Sequence, residues 1–173
     1  MIAKPYLGDP NFERSVVLIC EHSEDGAFGL VLNQSTGNIL SDFFDDVHAG
    51  IPVGIGGPVE PHTLHFLHTR GDAVEDAIEL MEGLYWSGNF EQIKTLVNTG
   101  VLKETDIRFF LGYSGWGEGQ LEEEIREEVW VLTDARIDIV FQPDTGRIWQ
   151  SVLRNLGGNY IIMANSPVDP RLN

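Results

Sequence analysis

The most unusual stretch of the sequence, residues 112–120, is rich in glycine and reads G-Y-S-G-W-G-E-G-Q. It follows a predicted strand and precedes a predicted helix, so its backbone N–H groups and the start of that helix could hold an anion. The stretch lacks the Gly-Lys-Ser/Thr of a P-loop, and Gln120 stands where the dinucleotide fingerprint requires its last glycine. We therefore interpret it as a tight strand-to-helix turn that Trp116 anchors by packing.

Ser114 is the candidate nucleophile of this stretch. Gly112 and Ser114 match the first and third positions of the nucleophile elbow G-x-S-x-G, but Trp116 occupies the position of its last glycine. The mismatch favours a turn residue over a catalytic serine.

Glu21 and His22, which follow the first predicted strand, form a second candidate for acid–base chemistry. Histidine titrates near neutral pH, and a carboxylate can orient or accept its proton. Neighbouring side chains on an extended chain point in opposite directions, however, and the spacing of residues identifies no third catalytic group to act with them. We therefore favour a structural histidine at the end of a strand.

His62, His65 and His68 have the spacing H-x2-H-x2-H, which raises the question of a metal site. On a strand, His65 points away from the other two, and these lie about 20 Å apart at about 3.3 Å per residue. Metal ligands must converge, so the sequence predicts no metal site here.

A run of glutamates, which we interpret as a solvated helix face rather than a ligand cluster, follows the glycine-rich stretch. Its carboxylates would repel an anion bound at the start of that helix. The run comprises Glu122, Glu123, Glu124, Glu127 and Glu128.

The charge of the chain excludes some classes of partner. Its 173 residues include 27 acidic and 11 basic side chains, which gives a net charge of −16. Such a chain lacks the cations with which nucleic-acid-binding proteins neutralise phosphates, and it is repelled by anionic membranes. A macromolecular partner is expected to present a basic or neutral face.

Cysteine content and hydropathy indicate the compartment. Cys20 is the one cysteine, so no intrachain disulfide can form, and we interpret it as a core residue. The longest apolar run, residues 16–20, is far shorter than the roughly 20 residues that span a bilayer, and the N-terminal residues lack the apolar core of a secretory signal. The sequence predicts a cytoplasmic protein without a membrane segment.

Apolar patterning predicts strands and helices that follow no regular βαβ alternation, which favours an α+β fold in a single domain over residues 1–173. Strands are predicted at 15–20, 28–32, 51–55, 63–67, 84–86, 107–111, 130–132, 137–141 and 160–163. Helices are predicted at 38–47, 90–97, 120–127 and 149–156. Residues 73–81 fit either state, Gly56-Gly57-Pro58 is a predicted turn, and the C-terminus is a predicted polar tail.

Five segments, taken in order, carry a resemblance to a known family. They are A-K-P-Y-L-G-D-P-N-F-E-R-S-V-V-L-I-C-E-H (3–22), D-G-A-F-G-L-V-L-N (25–33), G-G-P-V (56–59), L-H-F-L-H (64–68) and L-G-Y-S-G-W-G-E-G-Q-L-E-E-E-I (111–125). As a set they resemble the bacterial YqgE/AlgH family, whose function is uncharacterised. The resemblance implies an α+β fold in which a strongly bent mixed β-sheet forms a pseudo-barrel with helices packed outside.

The AlgH name also implies a role in transcriptional regulation. The charge of −16 and the absence of a basic recognition helix argue against direct reading of DNA, so such regulation would be indirect. The family often carries alanine at the position of Ser114, which implies that the hydroxyl is dispensable. His62 and His65 lie outside the shared pattern, whereas His22 and His68 lie within it.

Our leading hypothesis is a non-enzymatic cytosolic binding or regulatory protein that works through an acidic surface and through its glycine-rich loops, residues 56–59 and 112–120. The alternative is a small-molecule binder or enzyme with a pocket near Glu21, His22, Ser114 and Glu118. No catalytic residue, metal or cofactor is assigned, the partner is an unknown protein or small molecule, and the oligomeric state stays open. The candidate ligand-binding residues are Glu21, His22, Gly56, Gly57, Pro58, Gly112, Ser114, Gly115, Trp116, Gly117 and Glu118.

The charge leads to a first prediction. We expect the purified protein not to retard duplex DNA in a native gel at low salt, because it lacks the phosphate contacts that supply affinity. A specific shift that weakens steeply as salt rises would contradict this expectation.

Overall fold

The structure is a computed structural model, and it describes residues 1–167. The end of the predicted polar tail, residues 168–173, lies outside the described residues. The described residues form ten strands: β1 (Ile2–Ala3), β2 (Val17–Ser23), β3 (Gly26–Val31), β4 (Ser35–Ile39), β5 (Pro52–Ile55), β6 (Val59–His68), β7 (Ile78–Met81), β8 (Leu84–Trp86), β9 (Ile107–Gly117) and β10 (Trp130–Val131). The helices are α1 (Phe90–Asn98), α2 (Gln120–Arg126), α3 (Ile137–Val140), α4 (Ile148–Leu156) and α5 (Asn159–Ala164), with 3-10 turns at Leu40–Asp42 and Thr145–Arg147.

One bent, nearly closed sheet forms the centre of the molecule. Its strand order is β2-β3-β9-β6-β8-β7, and β5 joins it as a further neighbour of β9 and in turn pairs with β4. The pairs are antiparallel except for β5 with β9, which are parallel, so the sheet is mixed. The expected α+β pseudo-barrel with external helices is therefore confirmed.

Strand β9 is the central strand of the sheet, because it pairs with three other strands, β3, β5 and β6. One edge pairs with β6. The other edge pairs first with β5, from Phe109 to Leu111, and then with β3, from Ser114 to Gly117. The exchange of neighbours occurs at Gly112, whose φ of +65° is a backbone conformation that favours glycine.

The prediction that β9 ends at residue 111 and gives way to a glycine-rich turn is wrong. Residues 112–117 continue the strand, and the turn before α2 is reduced to Glu118 and Gly119. Glycine content suggested a turn, but the neighbouring strands satisfy the backbone hydrogen bonds of this stretch, and hydrogen-bond pairing outweighs a local preference.

Close backbone packing explains the second glycine-rich segment, the predicted turn at residues 56–58. A Cβ on Gly56 would lie 2.2 Å from the carbonyl oxygen of Gly112, and a Cβ on Gly57 would lie 2.3 Å from the carbonyl carbon of Tyr113. Neither position can hold a side chain without moving the backbone of β9. The two segments are therefore glycine-rich so that they can contact each other.

Other predicted elements were wrong because short apolar runs fit either helix or strand. Residues 137–141 and 160–163 were predicted as strands, but they form the helices α3 and α5. Both helices pack against the core and do not join the sheet. Residues 38–47 were predicted as a helix. Instead β4 ends at Ile39, and one 3-10 turn follows, in which Asp42 accepts a hydrogen bond from the Ile39 backbone N–H at 2.9 Å.

Strong local signals placed the remaining helices correctly. Asn89 caps α1 by accepting hydrogen bonds from the backbone N–H groups of Glu91 and Gln92, as predicted. Helix α4 buries Ile148, Trp149, Val152 and Leu153 on one face. The ambiguous residues 73–81 contain only the short strand β7. None of the helices within residues 1–167 is both long enough and apolar enough to cross a bilayer.

The close contact at Gly56 leads to a second prediction. We expect Gly56→Ala to lower the free energy of unfolding by about 1–3 kcal/mol, because the added methyl group meets backbone atoms. Gly117→Ala is the matched control in β9, since a Cβ there meets nothing within 4 Å, and we expect a change within about 0.5 kcal/mol. Urea denaturation measures both, and equal effects would contradict the packing argument.

Candidate functional site

The two glycine-rich segments meet at Gly56, which is bonded to neighbouring strands through its backbone. Its N–H donates to the carbonyl of Leu111 at 2.8 Å, and its carbonyl accepts from the N–H of Val31 at 2.9 Å. The same carbonyl also accepts from the hydroxyl of Ser114 at 3.0 Å. The segments therefore come together as backbone against backbone, and a ligand would have to bind beside this contact rather than within it.

Ser114 is fully buried, and its hydroxyl already has the carbonyl of Gly56 as its partner. A nucleophile needs an exposed oxygen and a base within hydrogen-bond reach. The observed bond is a structural one that joins β9 to the segment after β5.

Glu21 and His22 lie on β2, where His22 has a partner distant in sequence. The Nε2 atom of His22 lies 2.5 Å from Oε1 of Glu122 at the start of α2, and both side chains are about half exposed. Hydrogen bonds from the helix backbone, and then from His22, hold the pKa of Glu122 below its usual range. Sequence reasoning missed this pair, because it treated Glu122 only as part of a solvated face.

Glu21, His22, Ser114 and Glu118 do not line one cavity among those described. A shallow concavity is lined by Glu21 together with Phe28, Val59, Tyr113, Gly115 and Trp116. His22 lines a different cavity, Ser114 is buried, and Glu118 is exposed beyond the end of β9. The structure therefore brings Glu21, Gly115 and Trp116 to one concavity, which His22, Ser114 and Glu118 do not line.

The three histidines lie on β6 in different surroundings. His68 is fully buried, its Nε2–H donates to the carbonyl of Ser87 at 2.9 Å, and its Nδ1 accepts from the N–H of Arg70 at 3.2 Å. His65 packs among aromatic rings, and burial lowers its pKa. His62 is exposed. Across residues 1–167, no three His, Cys, Asp or Glu side chains are grouped in a way that could hold a metal ion.

Glu124 holds two indoles in a contact that sequence reasoning also missed. Its Oε2 accepts hydrogen bonds from the Nε1–H of Trp116 and of Trp130, each at 2.8 Å. Phe12 stacks on Trp116 with a centroid separation of 6.2 Å and meets Trp130 edge-on at 5.6 Å. The carboxylate therefore fixes α2 to β9 and β10, and one glutamate of the acidic run is structural rather than solvated.

The most apolar concavity described has a volume of about 430 Å³ and lies along β2, so we call it the β2 groove. Its lining includes residues 16–19 at the start of β2, α2 (through Leu121 and Ile125), residues 132–136 and α4 (through Val152 and Leu156). Its size is typical of ligand-binding cavities, which measure about 300–1,000 Å³. The sequence gives no sign of this groove, because its lining comes from distant parts of the chain.

Cys20 lies on β2 next to the residues that line the groove, and burial raises the pKa of its thiol to about 12. The thiolate is the reactive form of cysteine, so this thiol is inert at neutral pH. The interpretation of Cys20 as a packing residue agrees with this position.

Comparison with known proteins decides the family. The profile of the AlgH-like family, DUF179, matches residues 1–161. The chain belongs to the AlgH-like family. It is 44% identical over 175 residues to a UPF0301 protein of Cytophaga hutchinsonii, covering 100% of this chain and 96% of that protein. It is also 44% identical over 176 residues to a UPF0301 protein of Chlorobaculum tepidum, covering 100% and 93%.

Solved structures support the same assignment of this AlgH-like chain. The crystal structure of DIP2367 from Corynebacterium diphtheriae matches with a TM-score of 0.79 at 26% identity, covering 95% of this chain and 89% of that one. The solution structure of the AlgH protein from Pseudomonas aeruginosa matches with a TM-score of 0.74 at 28% identity, covering 96% and 91%. The resemblance found from the five sequence segments is therefore confirmed.

The Glu124 contact leads to a third prediction. We expect Glu124→Leu to lower the free energy of unfolding by at least about 1–3 kcal/mol, because two largely buried indole N–H groups lose their acceptor. Glu124→Gln keeps an acceptor oxygen and should lower the free energy of unfolding by only about 1 kcal/mol. Urea denaturation followed by tryptophan fluorescence measures both, and equal losses for the two variants would show that the hydrogen bonds contribute nothing.

Proposed function

We propose that this AlgH-like protein is a non-enzymatic binding protein of the cytoplasm and that the β2 groove is its working surface. The observation that carries the proposal is an apolar concavity of about 430 Å³ whose lining includes exposed hydrophobic side chains. Leu132 is 55% exposed and Leu156 is 36% exposed, and both line the groove. Apolar side chains that remain exposed around a concavity are typical of interaction sites.

The arrangement of reactive groups also favours binding over catalysis. Ser114 is committed to the carbonyl of Gly56, and the Cys20 thiol is protonated at neutral pH. One histidine, His22, lines the groove, and its Nε2 atom lies 2.5 Å from Oε1 of Glu122. A regulatory effect would on this proposal be indirect and exerted through the bound partner, because a chain of net charge −16 is a poor ligand for DNA.

The enzyme hypothesis differs from this proposal in one respect. It requires Glu21, His22, Ser114 and Glu118 to act on one molecule, whereas these residues line no shared cavity among those described. Replacing Ser114 by alanine should therefore leave binding in the groove unchanged.

Binding of Nile red, an uncharged dye whose fluorescence rises in apolar surroundings, tests the groove without interference from the net charge. We expect Leu132→Ser and Leu156→Ser each to weaken binding about tenfold, since a tenfold change corresponds to about 1.4 kcal/mol and a buried leucine contributes about that much. Both side chains are exposed, so folding should not change.

Ile78→Ser is the matched control, because Ile78 is 50% exposed and does not line the groove. We expect this variant to bind Nile red as the wild type does. Equal losses in the control and the groove variants, or no binding by the wild type, would overturn the proposal.

A further inference from the structure

We propose that a second cavity binds a small molecule with one carboxylate, which pairs with the guanidinium group of Arg108. This cavity has a volume of about 280 Å³, and we call it the β5–β9 cavity. Its lining includes residues 52–54 of β5, residues 107–108 of β9 and residues 141–143, which follow α3. The proposal does not depend on the function proposed for the β2 groove.

Neutral groups hold the guanidinium group of Arg108 in place. Its Nη1 donates to the carbonyl oxygen of Val140 at 2.8 Å, and its Nη2 donates to that of Leu32 at 2.6 Å. Its Cζ atom lies over the ring of Phe110, 5.0 Å from the ring centroid. Carbonyl dipoles and an aromatic ring orient a cation, but they carry no negative charge that would neutralise it.

No carboxylate of the described residues neutralises this cation either. Exposed arginines such as Arg126 and Arg147 form ion pairs, whereas Arg108 forms none within residues 1–167. Burial lowers the pKa of Arg108 to about 10, so the group is still protonated at neutral pH. Because buried charges in proteins are normally paired, this site is suited to an anion that a ligand supplies.

The guanidinium group keeps donors for such a ligand. The two carbonyl oxygens take two of its five N–H groups. The Nε–H has no partner among residues 1–167, and this nitrogen is not one of the enclosed polar atoms that lack a partner there, so it is accessible. Since Arg108 lines the cavity, its remaining donors can meet the oxygens of a carboxylate, a pairing stronger than one between neutral groups.

Glu104 limits the ligand to one negative charge. Its side chain is exposed and lines the same cavity, where Arg108 is the one cation among the described lining residues. The nearby charges of Arg147 and Asp144 neutralise each other in an ion pair of 3.1 Å. A second negative charge on the ligand would therefore be repelled by Glu104 with no cation to offset it, which favours a monocarboxylate over a phosphate dianion.

The remaining walls and the volume determine the rest of the ligand. Ile51, Phe141 and Pro143 supply apolar contacts. The hydroxyl of Ser35 accepts from the Gly37 N–H at 3.1 Å, so its own O–H is left to donate to a ligand. The volume lies slightly below the range of about 300–1,000 Å³ that is typical of ligand cavities. These features together fit a short-chain acid.

Titration with butyrate, followed by NMR of the Arg108 Nε–H, tests the proposal on the unmodified protein. We expect a saturable shift of this resonance at millimolar butyrate. Butyramide, which has as many non-hydrogen atoms and no charge, and sodium chloride at equal concentration should each bind about tenfold more weakly or less. Equal shifts with butyrate and butyramide, or with butyrate and chloride, would overturn the proposal.

Arg108→Met removes the cation and keeps a similar side-chain volume. We expect it to weaken butyrate binding about tenfold or more, measured through the backbone amide of Gly54, which lines the cavity. Arg154→Met is the matched control, because it removes the same charge from an exposed side chain that does not line the cavity. Unchanged binding by Arg108→Met contradicts the proposal, and the comparison of butyrate with butyramide decides the matter if this variant does not fold.

Glu104→Gln tests the limit of one charge. We expect the wild type to bind succinate about tenfold more weakly than butyrate, and the variant to regain about three- to tenfold in succinate binding with a smaller gain for butyrate. Glu82→Gln is the matched control, since Glu82 is exposed and lies outside the lining. Equal gains in succinate binding from the two variants would show that Glu104 selects nothing.

A free acid and the C-terminus of a peptide carry the same carboxylate, and one further ligand separates these sources. The probe is an acetylated tripeptide, Ala-Ala-Val, with a free C-terminus. Because the cavity is small, we expect the tripeptide to bind no more tightly than butyrate. Binding about tenfold tighter than that of butyrate would assign the site to chain termini and overturn the proposal of a small acid.

Discussion

The structure depends on one close contact, in which the backbone of Gly56 and Gly57 lies against the backbone of β9 from Gly112 to Ser114. This contact occurs where one edge of β9 stops pairing with β5 and starts pairing with β3. The chain that leaves β5 must pass close to the backbone of β9 at this point, so that β3 can take the next place along the same edge. A single methyl group at either segment would occupy space that backbone atoms already fill. The hydrogen bonds of Gly56 to β3 and β9 then hold the exchange in place.

The position of the remaining elements follows from this exchange. Since β9 continues past Gly112, it carries Trp116 to the end of the sheet, where Glu124 accepts its indole N–H together with that of Trp130. The shared carboxylate fixes α2 to β9 and β10, and Leu121 and Ile125 of this helix line one side of the β2 groove. The contact between the glycine-rich segments thus influences the shape of the β2 groove through β9 and α2, although no glycine lines the groove.

Strong local signals were interpretable from the sequence, and weak ones were not. The Asn89 cap and the four buried residues of α4 identify their helices, because a cap and a 3.6-residue apolar period are properties of the local chain. The apolar runs at residues 137–141 and 160–163 have neither signal and are too short to show a period. Their helical state is decided by the helices and core against which they pack.

The sequence by itself determined the class of fold, the family, the acidic character and the absence of the established catalytic motifs, since each of these is carried by composition, by local patterning or by an ordered set of short segments. Only the tertiary structure decided what the unusual residues do. Glycine-rich stretches suit turns, ligand loops and close backbone contacts equally well, and Glu122 and Glu124 resemble their solvated neighbours until His22, Trp116 and Trp130 are placed beside them. The physical reason is that pairing and packing join residues far apart in the chain, and the contact partner, not the residue type, determines the role.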